Sequence, residues 1–273
     1  MEISIVTSNI SADFLRPPGV PSWDERRQTY VDVLFQANPD IIGLQEVTPR
    51  QLQFLQTQLS QFAALTVPVS NPTEELKAAW QAKYEEVGLP QIPSPYEIIL
   101  FYRIDALNVI STGHWWLSPT PDVPSIGFGN IAPRVVLWAQ VRHKASAREF
   151  VLFNTHIDHR SPHPMIGLCR KNFEVFAEKH ASLIFMGDFN LNEKDSSYDL
   201  LIADGWHDSF QASPGGDSAT FLSNLPGKPG GRIDHILYRG DELIPLTWNR
   251  LLPPVTGQRI SDHDPVHVIF RLG

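Results

Sequence analysis

Eight short apolar runs constrain the fold of this chain more than any other feature: 3–9, 40–46, 98–102, 135–141, 150–156, 183–188, 233–238 and 265–270. Runs of this length, rich in Ile, Val, Leu and Phe, read as strands buried on both faces. Six of the stretches carry polar side chains at or beside one end. The first closes on Asn9 and the second on Gln45-Glu46. The run 150–156 closes on Asn154-Thr155-His156, and MGDFN (186–190) supplies Asp188 and Asn190. Asp234 lies just inside the run at 233–238, and Ser261-Asp262-His263-Asp264 precedes the last run. A buried acid or imidazole is costly unless metal or hydrogen bonds satisfy it, so these six ends are expected to meet.

Helical patterns fall between some of the runs. Positions 23–38 repeat apolar residues at helical spacing and stop before Pro39, and 50–59 repeats Leu52, Leu55 and Leu59. In 165–180, Ile166, Phe173, Phe176 and Ala177 share one face. Several consecutive strands between 98 and 156 lack a helix between them, which predicts an α+β fold rather than strict alternation. A charged helical pattern over 73–87, flanked by prolines, reads as a helical insertion at 71–95. The Pro-rich 119–133 and the Gly/Pro-rich 213–231 read as long surface loops, where substrate selection is usually built. None has the look of a linker, so residues 1–273 are read as one domain.

Charge and cysteine content narrow the function. With 22 basic against 30 acidic residues the net charge is −8 and no basic run occurs. That disfavours a stable complex with long nucleic acids, whose affinity rests on Lys and Arg neutralising phosphates. Cys169 is the only cysteine, so no intramolecular disulfide forms, and it reads as a small buried hydrophobe. The N-terminal MEISIVTSNI reads as a strand and lacks the plan of a signal peptide; no window suits a membrane span; a cytoplasmic location is the expectation. Hard-oxygen side chains such as Glu46 and Asp262 suit Mg²⁺ or Mn²⁺, and the lack of a Cys cluster argues against structural zinc.

In order along the chain, SNI (8–10), LQEV (44–47), NTHID (154–158), GDFN (187–190), RIDHIL (232–237) and SDHDPV (261–266) resemble the motifs of the endonuclease/exonuclease/phosphatase superfamily. The resemblance spans nearly the whole chain. It implies a four-layer α/β/β/α sandwich with two mixed or antiparallel β-sheets packed face to face and the site at one rim. It implies Glu46 as principal metal ligand, with Asn9 beside it and Asp262 close by. Asp188 would activate the attacking water and Asn190 would hold water and phosphate. His263 would contact the scissile phosphate, with Asp234 fixing its tautomer and charge. His156 would bind the phosphoryl group or assist the leaving oxygen. Glu97, Arg134 and Asn154 are the further positions it places near substrate, Glu97 facing His156 or a second metal. The segment GHWWLSPTP (113–121) is similar to small bacterial members termed metal-dependent hydrolases.

Ordinary readings stand beside these. Glu46 also suits the cap of a helix beginning near Thr48. Asp264 before Pro265 reads as a turn residue, and Asp158, His159, Arg160 and His163 as a solvated loop. Trp115, Trp116, Trp206 and Phe221 read as core, and Lys228 and Arg232 as loop cations. The function expected is a Mg²⁺- or Mn²⁺-dependent phosphoester hydrolase, a nuclease or phosphodiesterase first. The alternative is a phosphatase acting on a phosphorylated small molecule or lipid headgroup. A binding module without catalysis is disfavoured, because Glu46, Asp188 and His263 are all present. The partner is therefore a phosphoester substrate, an oligonucleotide, a nucleotide or a small phosphorylated molecule, and oligomeric state has no signature.

Overall fold

The strands at 3–9 and 183–188 lie at the middle of two separate six-stranded sheets, each with apolar side chains on both faces. This is seen in a computed structural model that describes residues 1–15, 17–67, 73–88, 97–212, 218–222, 230–255 and 257–273. The first sheet contains β1 (Glu2–Asn9), β2 (Ile41–Val47), β3 (Phe62–Thr66), β4 (Glu97–Arg103), β11 (Leu243–Arg250) and β12 (Val266–Leu272) in the order β11-β12-β1-β2-β4-β3. The second contains β5 (Leu107–Trp116), β6 (Val135–His143), β7 (Glu149–His156), β8 (Leu183–Asp188), β9 (Trp206–Asp208) and β10 (Asp234–Arg239) in the order β5-β6-β7-β8-β10-β9. Helices α1 (Trp23–Gln36), α2 (Pro49–Gln58), α3 (Glu74–Glu86) and α4 (Pro162–Ala177) and the single turns α5 (Tyr198–Leu201) and α6 (Ser209–Ala212) complete the elements.

Side-chain alternation along the strands builds the layers. Ile3 and Ile5 of β1 and Ile98 and Leu100 of β4 meet Leu152, Ile184, Met186 and Ile236 between the sheets. Their sequence neighbours point outward: Val6, Ile42, Leu44, Ile99 and Phe101 pack against Tyr30, Val31 and Leu34 of α1 and Leu55 of α2. On the second sheet Val151, Phe153, Leu183 and Phe185 pack against Met165, Ile166, Cys169 and Phe173 of α4. The result is helices, sheet, sheet, helices. The period of two puts every second residue in one of two apolar layers, which is why the central strands read as unbroken apolar runs. Close approach of the sheets needs Gly43, whose absent Cβ would stand 2.9 Å from Met186 Sδ.

Helix ends follow their local signals. Glu25 accepts from the Ser22 N–H at 2.9 Å at the start of α1. Thr48, not Glu46, caps α2, and Gln51 returns the bond by accepting from Thr48 N–H at 3.0 Å. The helix expected within 71–95 is α3; positions 71–72 and 89–95, most of the loop at 213–231, and Lys228 lie outside the described residues. Trp115, Trp116 and Trp206 are buried as expected. Phe221 is only half-buried: its backbone bridges Gly231 and His263, so it lies beside the polar strand ends instead of in the core. No helix among the described residues is long and apolar enough to cross a membrane.

Topology carries the polar ends to one rim. β1 runs parallel to β2, and β7 parallel to β8, so Asn9 comes level with Gln45 and His156 with Asp188. β4, β10 and β12 run antiparallel to these neighbours, so their first residues arrive where the others finish. Asp234 is the register partner of Asp188, and Glu97 of Val47.

Candidate active site

Backbone irregularities aim the polar side chains. The β2–β4 register shifts between Leu44 and Val47, and within that bulge Glu46 adopts φ +60°. Asn190 adopts φ +53°, and both are left-handed conformations that cost a non-glycine residue energy and concentrate at functional sites. Gly187 has φ +145°, and a Cβ there would lie 2.0 Å from Thr155 O, so only glycine allows the close β7–β8 contact before Asp188.

Asn9 lies between two acids. Its amide nitrogen donates to Glu46 Oε1 at 3.1 Å and to Asp188 Oδ2 at 3.0 Å, while its oxygen accepts from Ser11 N–H at 3.0 Å. The Ser11 N–H can only donate, which fixes the amide orientation and turns the nitrogen toward the carboxylates. The Asn9 nitrogen thus faces the two carboxylates and holds them side by side. Glu46 Oε2 accepts from Ala12 N–H at 3.2 Å, and Glu46 remains partly exposed.

Asp188 accepts from Asn190 N–H through Oδ1 at 3.0 Å. Its Oδ2 lies 3.4 Å from His156 Nε2 and 3.7 Å from His263 Nε2. Burial, with Asp234 assisting, pushes the Asp188 carboxyl up to about 7, against the opposing pull of His263. The tautomer of His156 follows from its neighbour. Asn190 Nδ2 donates to Ile157 O at 2.9 Å and faces His156 Nε2 at 3.0 Å, so that ring nitrogen accepts and the proton sits on Nδ1. His156 Nδ1 is buried, with Glu46 Oε1 at 3.9 Å and no hydrogen-bond partner among the described residues. Burial, followed by the Arg134 and His263 charges, holds His156 well below the usual imidazole range, so it is neutral.

His263 has the opposite character. Burial disfavours its charge, but Asp234 and Asp188 outweigh burial and lift it to about 10. Its Nδ1 donates to Asp234 Oδ2 at 2.8 Å, and the same oxygen accepts from Thr220 Oγ1 at 2.7 Å. Thr220 in turn accepts from the N–H groups of Ile233 and Asp234, both at 3.1 Å. Ser261 ties this loop to β1 by donating to Asn9 O at 2.7 Å and accepting from His263 N–H at 3.2 Å. Beneath both, the buried guanidinium of Arg26 donates to Ile10 O, Ser11 O and Ile260 O at 2.7, 2.6 and 2.5 Å. Thr220 and Arg26 lie outside every motif read from the sequence, and Ser261 is only the first residue of SDHDPV. The capping-like Ser-x-His spacing at 261–263 is the one local signal for any of them.

Asn154 is wholly buried and bonded between the sheets, accepting from Gln45 Nε2 at 2.8 Å and donating to Leu44 O and Ile99 O. It supports the site and does not line it. Arg134 is mostly buried and lies against Asp158, with contacts of 3.3 and 3.4 Å. Asp158 is therefore buried and paired, correcting its reading as solvated loop, whereas His159, Arg160 and His163 are exposed. Glu97 is buried at the first position of β4, at the rim. Asp262 is half-buried, with Oδ1 3.3 Å from Ser261 Oγ, and Asp264 accepts from Arg250 at 2.8 Å, the hydrogen-bonding role expected of it.

Ligand-type atoms of Asp188, Asp234 and His263 lie within 4.8 Å of one another, and Asp234 Oδ1 is buried without a hydrogen-bond partner among the described residues. Asp188 and Asp234, with Glu46 tied to Asp188 through the Asn9 amide and Asp262 next to His263, present carboxylate oxygens of the kind that suits a hard divalent cation.

Comparison with known proteins agrees with this picture. A sequence model of the endonuclease/exonuclease/phosphatase family matches residues 6–263. Protein L388 of Acanthamoeba polyphaga mimivirus, itself uncharacterised, is 26% identical over 92% of this chain and 93% of its own length. Among solved structures, an endonuclease/exonuclease/phosphatase protein of Bacteroides vulgatus superposes over all of both chains with TM-score 0.82 and 22% identity. The mannosyl-6-phosphatase Bt3783 of Bacteroides thetaiotaomicron has TM-score 0.78 and 24% identity, covering 97% of this chain and 98% of its own.

Proposed function

The chain belongs to the endonuclease/exonuclease/phosphatase family, and from that premise we propose that it is a single-domain hydrolase of phosphoesters that depends on Mg²⁺ or Mn²⁺. The observation that carries the reading is Asp188, held between a neutral and a cationic imidazole at the meeting point of seven strand ends. Glu46 and Asp262 would hold the cation, with Asn9 keeping Glu46 in place. When bound, such an ion withdraws charge from a phosphoryl oxygen and makes a nearby water easier to deprotonate.

The protein groups divide the remaining work. Asp188, fixed by Asn190 N–H and Asn9 Nδ2, accepts a proton from the attacking water. Its pKa of about 7 matches that task near neutral pH. The cationic His263, anchored through Nδ1 to Asp234, points its Nε2–H into the same space and stabilises charge growing on the phosphoryl group. His156 carries its proton on Nδ1, free to donate to a phosphoryl or leaving oxygen, and its Nε2 is the next acceptor beyond Asp188. Arg134, paired with Asp158, adds positive charge on the His156 side of the site.

A phosphodiester in an oligonucleotide or nucleotide is the substrate class favoured. A phosphorylated small molecule is the second reading, supported by the net charge of −8, which favours compact substrates over long polyanions. The test is cleavage of end-labelled single-stranded RNA and DNA with Mg²⁺, with Asp188→Asn alongside and simple phosphate mono- and diesters in parallel. Cleavage of oligonucleotides by wild type alone supports the nuclease. Turnover of monoesters alone moves the assignment to a phosphatase. Retained turnover in Asp188→Asn overturns the mechanism.

A further inference from the structure

The Asp188–Phe189–Asn190 turn is strained, and an unassigned buried network lies behind it. Phe189 is fully buried and stacks on the imidazole of His235, with ring centroids 5.4 Å apart and planes 17° off parallel. His235 is itself fully buried and faces Leu191 O at 2.8 Å through Nε2. A carbonyl only accepts, so Nε2 carries the proton. On the other side Arg232 Nη1, which only donates, lies 2.9 Å from His235 Nδ1, so the tautomer is fixed from both sides. Arg232 Nη1 also donates to Asp208 Oδ2 at 2.6 Å, and Tyr198 OH donates to the same oxygen at 2.5 Å. Arg232 Nη2 lies 3.3 Å from Glu193 Oε2, and the guanidinium lies 4.5 Å from the Phe210 ring centre.

These groups reach the turn from three directions. Arg232 and His235 flank Asp234 at the start of β10, Asp208 ends β9, and Tyr198 and Glu193 belong to the segment after Asn190. Phe189 N–H closes the frame by donating to Ile233 O at 2.8 Å. The turn they enclose begins at Gly187 with φ +145° and ends at Asn190 with φ +53°. A backbone in such conformations persists only where its surroundings over-determine it.

We propose that the Arg232–Asp208–His235 network is a positioning device: His235 holds the Phe189 ring and the Leu191 carbonyl, and so sets where the flanking Asp188 and Asn190 side chains point. The network touches no substrate. A buried arginine–aspartate–histidine set, bonded through both Arg232 Nη atoms though not, among the described residues, through Nε, costs desolvation that an apolar cluster would avoid, so directional bonding is what it adds here. The proposal rests on the hydrolase reading for its kinetic consequence, but its structural consequence stands apart from that reading.

The test uses the full chain, His235→Phe, which keeps the ring stack and loses both hydrogen bonds, and Asp208→Asn as a milder variant. Hydrolysis of bis(4-nitrophenyl) phosphate and 4-nitrophenyl phosphate with Mg²⁺ or Mn²⁺ is measured next to site-resolved amide hydrogen exchange. The expected result is kcat lower by 10- to 100-fold with KM within about twofold, since a misplacement on the order of 1 Å has that kinetic weight. Exchange of the Phe189 and Asn190 amides accelerates at least about tenfold, while α1 and β1 amides keep their rates. Unchanged exchange in 187–191, or acceleration spread evenly through the sheet, overturns the proposal. So does a loss expressed in KM alone. Were wild type to turn over neither ester, the hydrolase reading would fall while the exchange data still decided the positioning claim.

Discussion

His156 and Asp188 are register partners across the parallel pair β7–β8, and their facing atoms, Nε2 and Oδ2, stand 3.4 Å apart. One main-chain ladder thus sets the spacing of an acid and an imidazole, and Asn190 adds the tautomer by presenting an N–H to Nε2. On the proposed reading this pair would pass a proton as one unit: Asp188 would take a proton from water and hand one to His156 Nε2 as Nδ1 releases its own toward the leaving oxygen.

Non-additivity is the kinetic mark of such a unit. His156→Gln and Asp188→Asn are each expected to lower kcat by about 10²–10⁴-fold, and the double variant to fall no further than the worse single change. Steady-state kinetics on the best substrate found would check this. Losses that multiply would show two independent roles.

Metal binding is predicted to appear as stability. A ligand that binds only the folded chain at a hundred times its Kd adds about 2.7 kcal/mol, so saturating Mg²⁺ should raise Tm by several degrees at this size. Glu46→Gln is expected to lose most of that rise while keeping the Tm of the chelated wild type. Calorimetric melts with EDTA and with Mg²⁺ measure both. An equal Mg²⁺ response in the variant would remove Glu46 from the metal site.

The eight apolar runs seen in the sequence are the eight interior strands, and the four strands missed, β3, β5, β9 and β11, are the four sheet edges. The reason is physical. An interior strand is covered on both faces and both sides and reads as an unbroken apolar run. Edge strand β5 alternates half-buried and exposed positions through Ser111, Thr112 and His114, and β11 tolerates Pro245 beside a bulge. β9 has three residues, too few for any pattern. At the site, Glu46, Asp188, Asn190 and His263 were legible because strand ends carried them in order. Asn9 was legible at its strand end, but which way its amide faces depends on a backbone N–H two residues on. Arg26, Thr220 and Ser261 act through contacts to residues far away in the chain, and no local spacing encodes a guanidinium folded onto three carbonyls.

Asn154 separates support from chemistry. Asn154→Leu would leave Gln45 Nε2 without its 2.8 Å acceptor between the sheets, and the expected destabilisation is about 2–4 kcal/mol. Urea unfolding gives the loss, and kcat per folded molecule is expected to stay within about threefold of wild type. A large fall in kcat with stability unchanged would return Asn154 to the substrate-contacting set.

His267 predicts how stability responds to acid. It is buried on β12, and its Nε2 lies 2.8 Å from Ser4 Oγ, whose hydroxyl donates to Ala37 O; Nε2 therefore carries the proton and donates to Ser4. Burial lowers its pKa to about 4, below the roughly 6.5 of an unfolded chain. The folded state thus prefers the neutral ring. Its contribution is fully present above pH 6.5 and is lost as pH falls from there toward 4, reaching about 2 kcal/mol near pH 4.5. Urea unfolding of wild type and His267→Gln at pH 7.5 and 4.5 measures the term. The wild type should lose about 2 kcal/mol more than the variant between those two values, and equal losses would show that His267 does not couple folding to protons.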